Sequence, residues 1–145
     1  MGMNTKKILI VVDHPDSREL FALILGRLGY DVVKAATGLE ALDRVRATSP
    51  NLIIMDLGMP GITAYETIER LKADPSTMKT PVIVSTAFRK GELVERAIAA
   101  GAAEIMHKPV SLKDLQDVAR RYLFPEYDRN AAPLKAAIFG VRPTA

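Results

Sequence analysis

Residues 51–61 read Asn-Leu-Ile-Ile-Met-Asp-Leu-Gly-Met-Pro-Gly. Four apolar residues, Leu52, Ile53, Ile54 and Met55, follow one another without a polar break. A short apolar run of this kind suits a strand covered on both faces, as in a parallel sheet. The run stops at Asp56, and Gly58, Pro60 and Gly61 mark a turn just beyond it. A buried strand therefore ends by delivering a carboxylate to an edge.

Runs of the same character lie on either side: 8–12 (ILIVV), 32–33 (VV), 82–84 (VIV) and a weaker 105–106 (IM). Segments with helical spacing alternate with them. Leu20, Phe21, Ile24, Leu25 and Leu28 form the first stripe, and Leu42 with Val45 the second. Ile68 with Leu71 form the third, Val94, Ala97 and Ile98 the fourth, and Leu115, Val118, Ala119 and Tyr122 the fifth. Thr37 with Glu40, Thr63 with Glu66 and Ser111 with Asp114 fit the capping-box spacing of a helix start. Pro15 suits a first helical turn, and Gly29 and Gly101 sit where helices should stop. Strand and helix thus alternate five times. With right-handed crossovers, the expectation is an α/β fold: a five-stranded parallel, doubly wound sheet with five helices.

That domain is expected over residues 1–124, with 125–145 as a C-terminal tail interrupted by Pro125, Pro133 and Pro143. Within the tail, residues 131–139 have the makings of a short helix with Leu134 and Ile138 on one face. A frayed tail and a segment docked on its own domain or on a partner are both consistent with this text.

Composition narrows the function. The 145 residues carry 20 Lys and Arg against 17 Asp and Glu, a net charge of +3. The basic residues are scattered and make no stripe for nucleic acid. Cysteine is absent, which excludes a disulfide framework, a Cys-based zinc site and thiol catalysis. The longest apolar run, 20–25, has six residues, where a membrane span needs about 20. Residues 1–7 are polar and lack the apolar core of a signal peptide, so the chain reads as cytoplasmic, with neither a membrane nor a nucleic acid as partner.

In open α/β sheets, ligands bind beyond the carboxyl ends of the strands. Asp13-His14 follows the first strand, Asp56 ends the third, Thr86-Ala87 follows the fourth and Lys108-Pro109 the fifth. Two carboxylates, a hydroxyl and an ammonium would converge if these strands are neighbours. Ser85 precedes Thr86, and strand alternation is expected to turn it to the opposite face.

The segments ILIVVD (8–13), DLGMPG (56–61), PVIVSTA (81–87), AGA (100–102) and KP (108–109) together resemble the receiver domain of response regulators in two-component signalling. The resemblance spans about residues 6 to 123. It implies the flavodoxin-like strand order 2-1-3-4-5. It implies that Asp56 accepts a phosphoryl group, as aspartate does in covalent catalysis. Lys108 would neutralise the added charge, Thr86 would donate to a phosphoryl oxygen, and the Lys108–Pro109 bond would be cis. It also implies Mg²⁺, held by Asp56, the Gly58 backbone carbonyl and, through water, Asp13.

The chain departs from that pattern at His14, where the family carries a second acidic residue that contacts Mg²⁺. Mg²⁺ prefers oxygen ligands, and imidazole suits softer metals. Weaker Mg²⁺ binding, another divalent metal, a cationic stand-in beside the phosphate, and a helix-start residue that never meets metal all follow from this replacement. Ile105 stands where the family often has Tyr or Phe, so a switch through Thr86, Ile105 and Pro109 would be a smaller packing shift. Gly58 and Phe88 occupy positions that flank the phosphoryl site, Gly58 leaving water access open and Phe88 shielding it.

The resemblance implies a phosphoacceptor module rather than an enzyme. A histidine kinase or phosphotransfer protein would donate to it, and a downstream protein effector would read it. A homodimer through the helix 4–strand 5–helix 5 face is a further implication. The alternative is a pseudo-receiver that keeps the fold but, because of His14 and Ile105, not efficient phosphorylation. A flavin or nucleotide enzyme of similar fold fits poorly, because acidic Asp13-His14-Pro15-Asp16-Ser17 replaces a glycine-rich phosphate loop.

Overall fold

The computed structural model describes residues 5–59, 61–87 and 90–125. Five strands and five helices alternate among them: β1 (Lys7–Val11), α1 (Pro15–Arg27), β2 (Asp31–Ala35), α2 (Gly38–Thr48), β3 (Leu52–Asp56), α3 (Ala64–Ala73), β4 (Val82–Thr86), α4 (Glu92–Ala100), β5 (Glu104–His107) and α5 (Leu112–Leu123). The strands form one parallel sheet in the order β2-β1-β3-β4-β5. The expected doubly wound α/β sheet is therefore present in full. The tail beyond Pro125 and the helix expected at 131–139 lie outside the described residues.

Strand alternation splits the core into two halves. Ile8, Ile10, Leu52, Ile54 and Ile83 face one side, where Leu25 of α1 and Leu115 and Val118 of α5 cover them. Leu9, Val11, Ile53, Met55, Val82 and Val84 face the other, beneath α2, α3 and α4. Each fully buried aliphatic side chain is worth about 1.5–3 kcal/mol, so β1 and β3, covered on both faces, anchor the domain.

The helix starts follow their signals. Thr63 and Ser111 each accept from the backbone three residues on, and Glu66 and Asp114 return the bond, closing two capping boxes. Thr37 caps α2 in the same way, but Glu40 reaches back to the Ala36 amide instead. Gly29 (φ +101) and Gly101 (φ +125) take the left-handed backbone that lets the chain leave α1 and α4.

Two of the expected stripes were too wide. Leu20 is 52% exposed and Ile98 53%. A helix lying on one face of a sheet buries a single stripe, and α1 gives that stripe to Phe21, Ile24, Leu25 and Leu28. Leu20 is rotated about 90° from its centre. The edge strand β5 is fastened to α5 by Glu104, whose carboxylate takes two bonds from Arg121 (2.6 and 2.9 Å) and one from the Tyr122 hydroxyl (2.9 Å).

Candidate functional site

β3 is buried along its whole length and ends at Asp56, which is 8% exposed. Alternation sends the Asp56 side chain to the face shared with Leu52 and Ile54. One carboxylate oxygen, Oδ1, accepts from the Gly58 amide at 3.2 Å. The other, Oδ2, accepts from Lys108 Nζ at 3.0 Å. Lys108 immediately follows β5, where its amide donates to the Thr86 carbonyl at 2.8 Å. Its peptide bond to Pro109 is cis, as the resemblance implied. The lysine side chain is 40% exposed against 11% for the aspartate, so the ammonium reaches in from the solvent side.

The pair opens on a cavity of about 440 Å³. Asp56, Ser85 and Lys108 supply polar wall; Val12, Phe21, Pro109 and Val110 supply the apolar wall, with Ser17 also lining it. A carboxylate with a cation beside it and room in front of it is equipped to take on an electrophilic, anionic group.

Ser85 overturns one expectation. It lies on the Asp56 face, not the opposite one: the register pairs Asp56 directly with Ser85, and residues paired across parallel strands share a face. Thr86 is buried at the strand end and falls by alternation on the other face, with Val82 and Val84. Ile105 packs half-buried against that same half of the core. The structure thus gathers Asp56, Ser85 and Lys108 on one side of the sheet and leaves Thr86 and Ile105 on the other. Sequence alone could not reveal this, because facing depends on which residue of β4 stands beside Asp56.

Asp13 and His14 are both exposed just beyond β1. His14 is the N-cap of α1, its Nδ1 accepting from the Ser17 amide at 3.5 Å, with Pro15 opening the helix. The signal was present in the text, since a proline in the first helical position makes the preceding residue the cap. Arg18 donates to the carbonyls of Val12 and Asp13 at 2.8 and 3.2 Å and so fixes this corner. Among the described residues no three His, Cys, Asp or Glu side chains gather where they could hold a metal ion. Receiver domains generally bind Mg²⁺ at an acidic cluster, and this donor set does not make one. Gly58 is exposed beside Asp56. Phe88 lies outside the described residues.

Comparison with known proteins agrees with this geometry. The family profile described as the response regulator receiver domain matches residues 8–120. The polar-differentiation response regulator DivK of Brucella ovis is 34% identical over 119 residues, covering 82% of this chain and 97% of that protein. Sporulation initiation phosphotransferase F of Bacillus subtilis is 31% identical over 121 residues, covering 83% and 96%. Among solved structures, the receiver domain of a signal transduction histidine kinase from Syntrophus aciditrophicus superposes with a TM-score of 0.77 at 33% identity, covering 82% of this chain and 90% of that one. The receiver domain of a sensor histidine kinase from Pseudomonas aeruginosa does so at 0.77 and 26% identity, covering 82% and 98%, and that structure carries a magnesium ion in its active site cleft. The chain belongs to the response regulator receiver domain family, whose members accept a phosphoryl group in two-component signalling and serve as signalling modules rather than as enzymes.

Proposed function

We propose that Asp56 is the phosphoacceptor and Lys108 its charge partner. The observation that carries this reading is the 3.0 Å contact between the two at the mouth of the cavity. In the transfer, a carboxylate oxygen of Asp56 attacks phosphorus and the O–P bond forms. The P–N bond of a donor phosphohistidine breaks, and the departing imidazole keeps that electron pair and takes up a proton from solvent. The protein's share is positioning and charge: Gly58 N–H orients the carboxylate and Lys108 balances the incoming anion.

Receiver domains work with histidine kinases or phosphotransfer proteins and with downstream effectors. For this chain, one of the former is the donor and a protein effector is the reader. The reading face is formed by α4, β5 and α5, where Ile105 packs against the half-core beneath α4, and a homodimer through that face is part of the same proposal. Thr86, Ile105 and Pro109 form the switch, moved by local charge. Among the described residues no helix is long and apolar enough to cross a membrane.

Were Mg²⁺ to bind, Asp56, Asp13 and the Gly58 carbonyl are the oxygen donors that would hold it, weakly, while His14 caps α1. A softer divalent metal is the alternative that a histidine at this place favours. No step above depends on either. Intact mass spectrometry with acetyl phosphate, with and without Mg²⁺, tests the whole reading beside an Asp56→Asn control. A gain of one phosphoryl group, absent in the control, is expected. No gain with any divalent metal, in folded protein, would make the chain a pseudo-receiver that acts by binding alone.

A further inference from the structure

Among the described residues, Ser85 Oγ is the one buried side-chain polar atom without a hydrogen-bond partner. The residue is 1% exposed. Other buried hydroxyls in this fold are satisfied: Thr67 donates to the Thr63 carbonyl at 2.9 Å and Thr77 to the Leu71 carbonyl at 2.6 Å. An unpaired buried hydroxyl weakens a fold, and valine or alanine would fill the same place without that loss. Its location gives a reason for it. Ser85 is paired in register with Asp56, one strand spacing of about 4.8 Å away, and both line the cavity with Lys108. Asp56 does not use the hydroxyl: its oxygens accept from Gly58 N–H and Lys108 Nζ, and Ser85 Oγ bonds to neither.

The geometry points to Ser85 as a phosphoryl-contacting residue, whose hydroxyl donates to a non-bridging oxygen of the phosphoryl group on Asp56. This rests on Asp56 as the acceptor. A phosphoryl group adds three strong acceptor oxygens that project beyond the carboxylate into the cavity. Such a group brings an acceptor to a donor that otherwise has none. Ser85 breaks and forms no covalent bond and keeps its proton throughout. The hydroxyl is already on the acceptor's face, whereas Thr86 lies by alternation on the other. The contact therefore needs no prior rearrangement of β4, so Ser85 steadies the phosphoryl group before any switch is thrown.

The test follows labelling by acetyl phosphate, and subsequent loss of the label, by intact mass in wild type, Ser85→Ala, Ser85→Thr and Asp56→Asn. Thermal melting of each unmodified protein runs alongside. In Ser85→Ala the phosphorylated fraction at a fixed donor concentration should fall about tenfold, the size expected for losing one hydrogen bond to a charged group. Its melting temperature should equal or exceed that of wild type, because the lost hydroxyl bonds to nothing. Ser85→Thr should keep the wild-type fraction. Equal labelling and equal label lifetime in wild type and Ser85→Ala would overturn the assignment while leaving Asp56 standing. So would a Thr variant that behaves like the Ala variant, since the effect would then be one of packing. Absence of label in wild type, or label persisting in Asp56→Asn, would overturn the acceptor itself and Ser85 with it.

Discussion

Replacing Lys108 by methionine removes the ammonium but keeps most of the side chain's length. In the unmodified protein this strands a carboxylate that is 8% exposed with the Gly58 amide as its remaining bond. Losing one partner of a buried pair costs about 3–5 kcal/mol when both are fully buried. Lys108 is 40% exposed, so solvent already screens the pair, and about 1–2 kcal/mol is the expected loss. The larger effect falls on phosphorylation. Converting the carboxylate to an acyl phosphate adds about one negative charge, and a unit pair about 4 Å apart at an effective dielectric of 20 is worth about 4 kcal/mol. Screening at the exposed ammonium roughly halves this to about 2 kcal/mol, or about a thirtyfold loss in labelling. The assay is a time course of intact mass with acetyl phosphate, together with urea melts of Lys108→Met, Asp56→Asn and the double variant. In the Asp56→Asn background the lysine substitution should cost less than 0.5 kcal/mol or so, since no charge is left to strand. A labelling rate within threefold or so of wild type, in protein that melts cooperatively, would refute the view that Lys108 supplies the balancing charge.

Three further outcomes are expected. The Arg121 hydrogen bonds hold the Glu104 carboxyl below its ordinary value of 4.5, against the opposing effect of partial burial. A depressed folded value means the pair's stability is fully present above about pH 4.5 and is lost as pH falls through the folded value; urea melts of Glu104→Gln should show a flatter acid limb and about 1 kcal/mol less stability at pH 7. Gly38→Ala should destabilise by about 1–3 kcal/mol in a thermal melt, because a Cβ there would run into Thr67 Oγ1 and come within 2.8 Å of Ile62 Cγ1. His14→Asp keeps a good helix cap and returns a carboxylate to the corner beside Asp13, so Mg²⁺ titration of the labelling reaction should show about tenfold tighter metal dependence. Unchanged dependence would mean that residue 14 never faces the ion.

What the sequence made legible was whatever depends on neighbours along the chain. The run from Leu52 to Met55 announces a covered strand, and the turn residues after Asp56 place its carboxylate at an edge. Caps at Thr63 and Ser111 are local hydrogen bonds and could be read directly. Asp56 and Lys108, 52 residues apart, are placed at one sheet edge by their positions after strands, and the family resemblance adds the strand order and the pairing. Ser85 was misread because its facing is fixed by register against β3, a long-range property. Leu20 and Ile98 were misread because apolar character does not report how wide a stripe a single sheet face can cover.

Asp56 ends β3 and Lys108 follows β5, two strands that do not touch, since β4 lies between them. Two inter-strand spacings, about 9.6 Å, separate their backbones. Only a long, unbranched side chain closes that span, and it does so as a tie beam laid over β4. β5 is an edge strand attached along one side only, through four residue pairs. The tie therefore braces the free rim of the sheet to its rigid middle. A group inserted at Asp56 would lengthen the beam or move its footing, and so would load the rim that carries α5. Chemistry at one carboxylate is in this way a mechanical load on the outer edge of the domain.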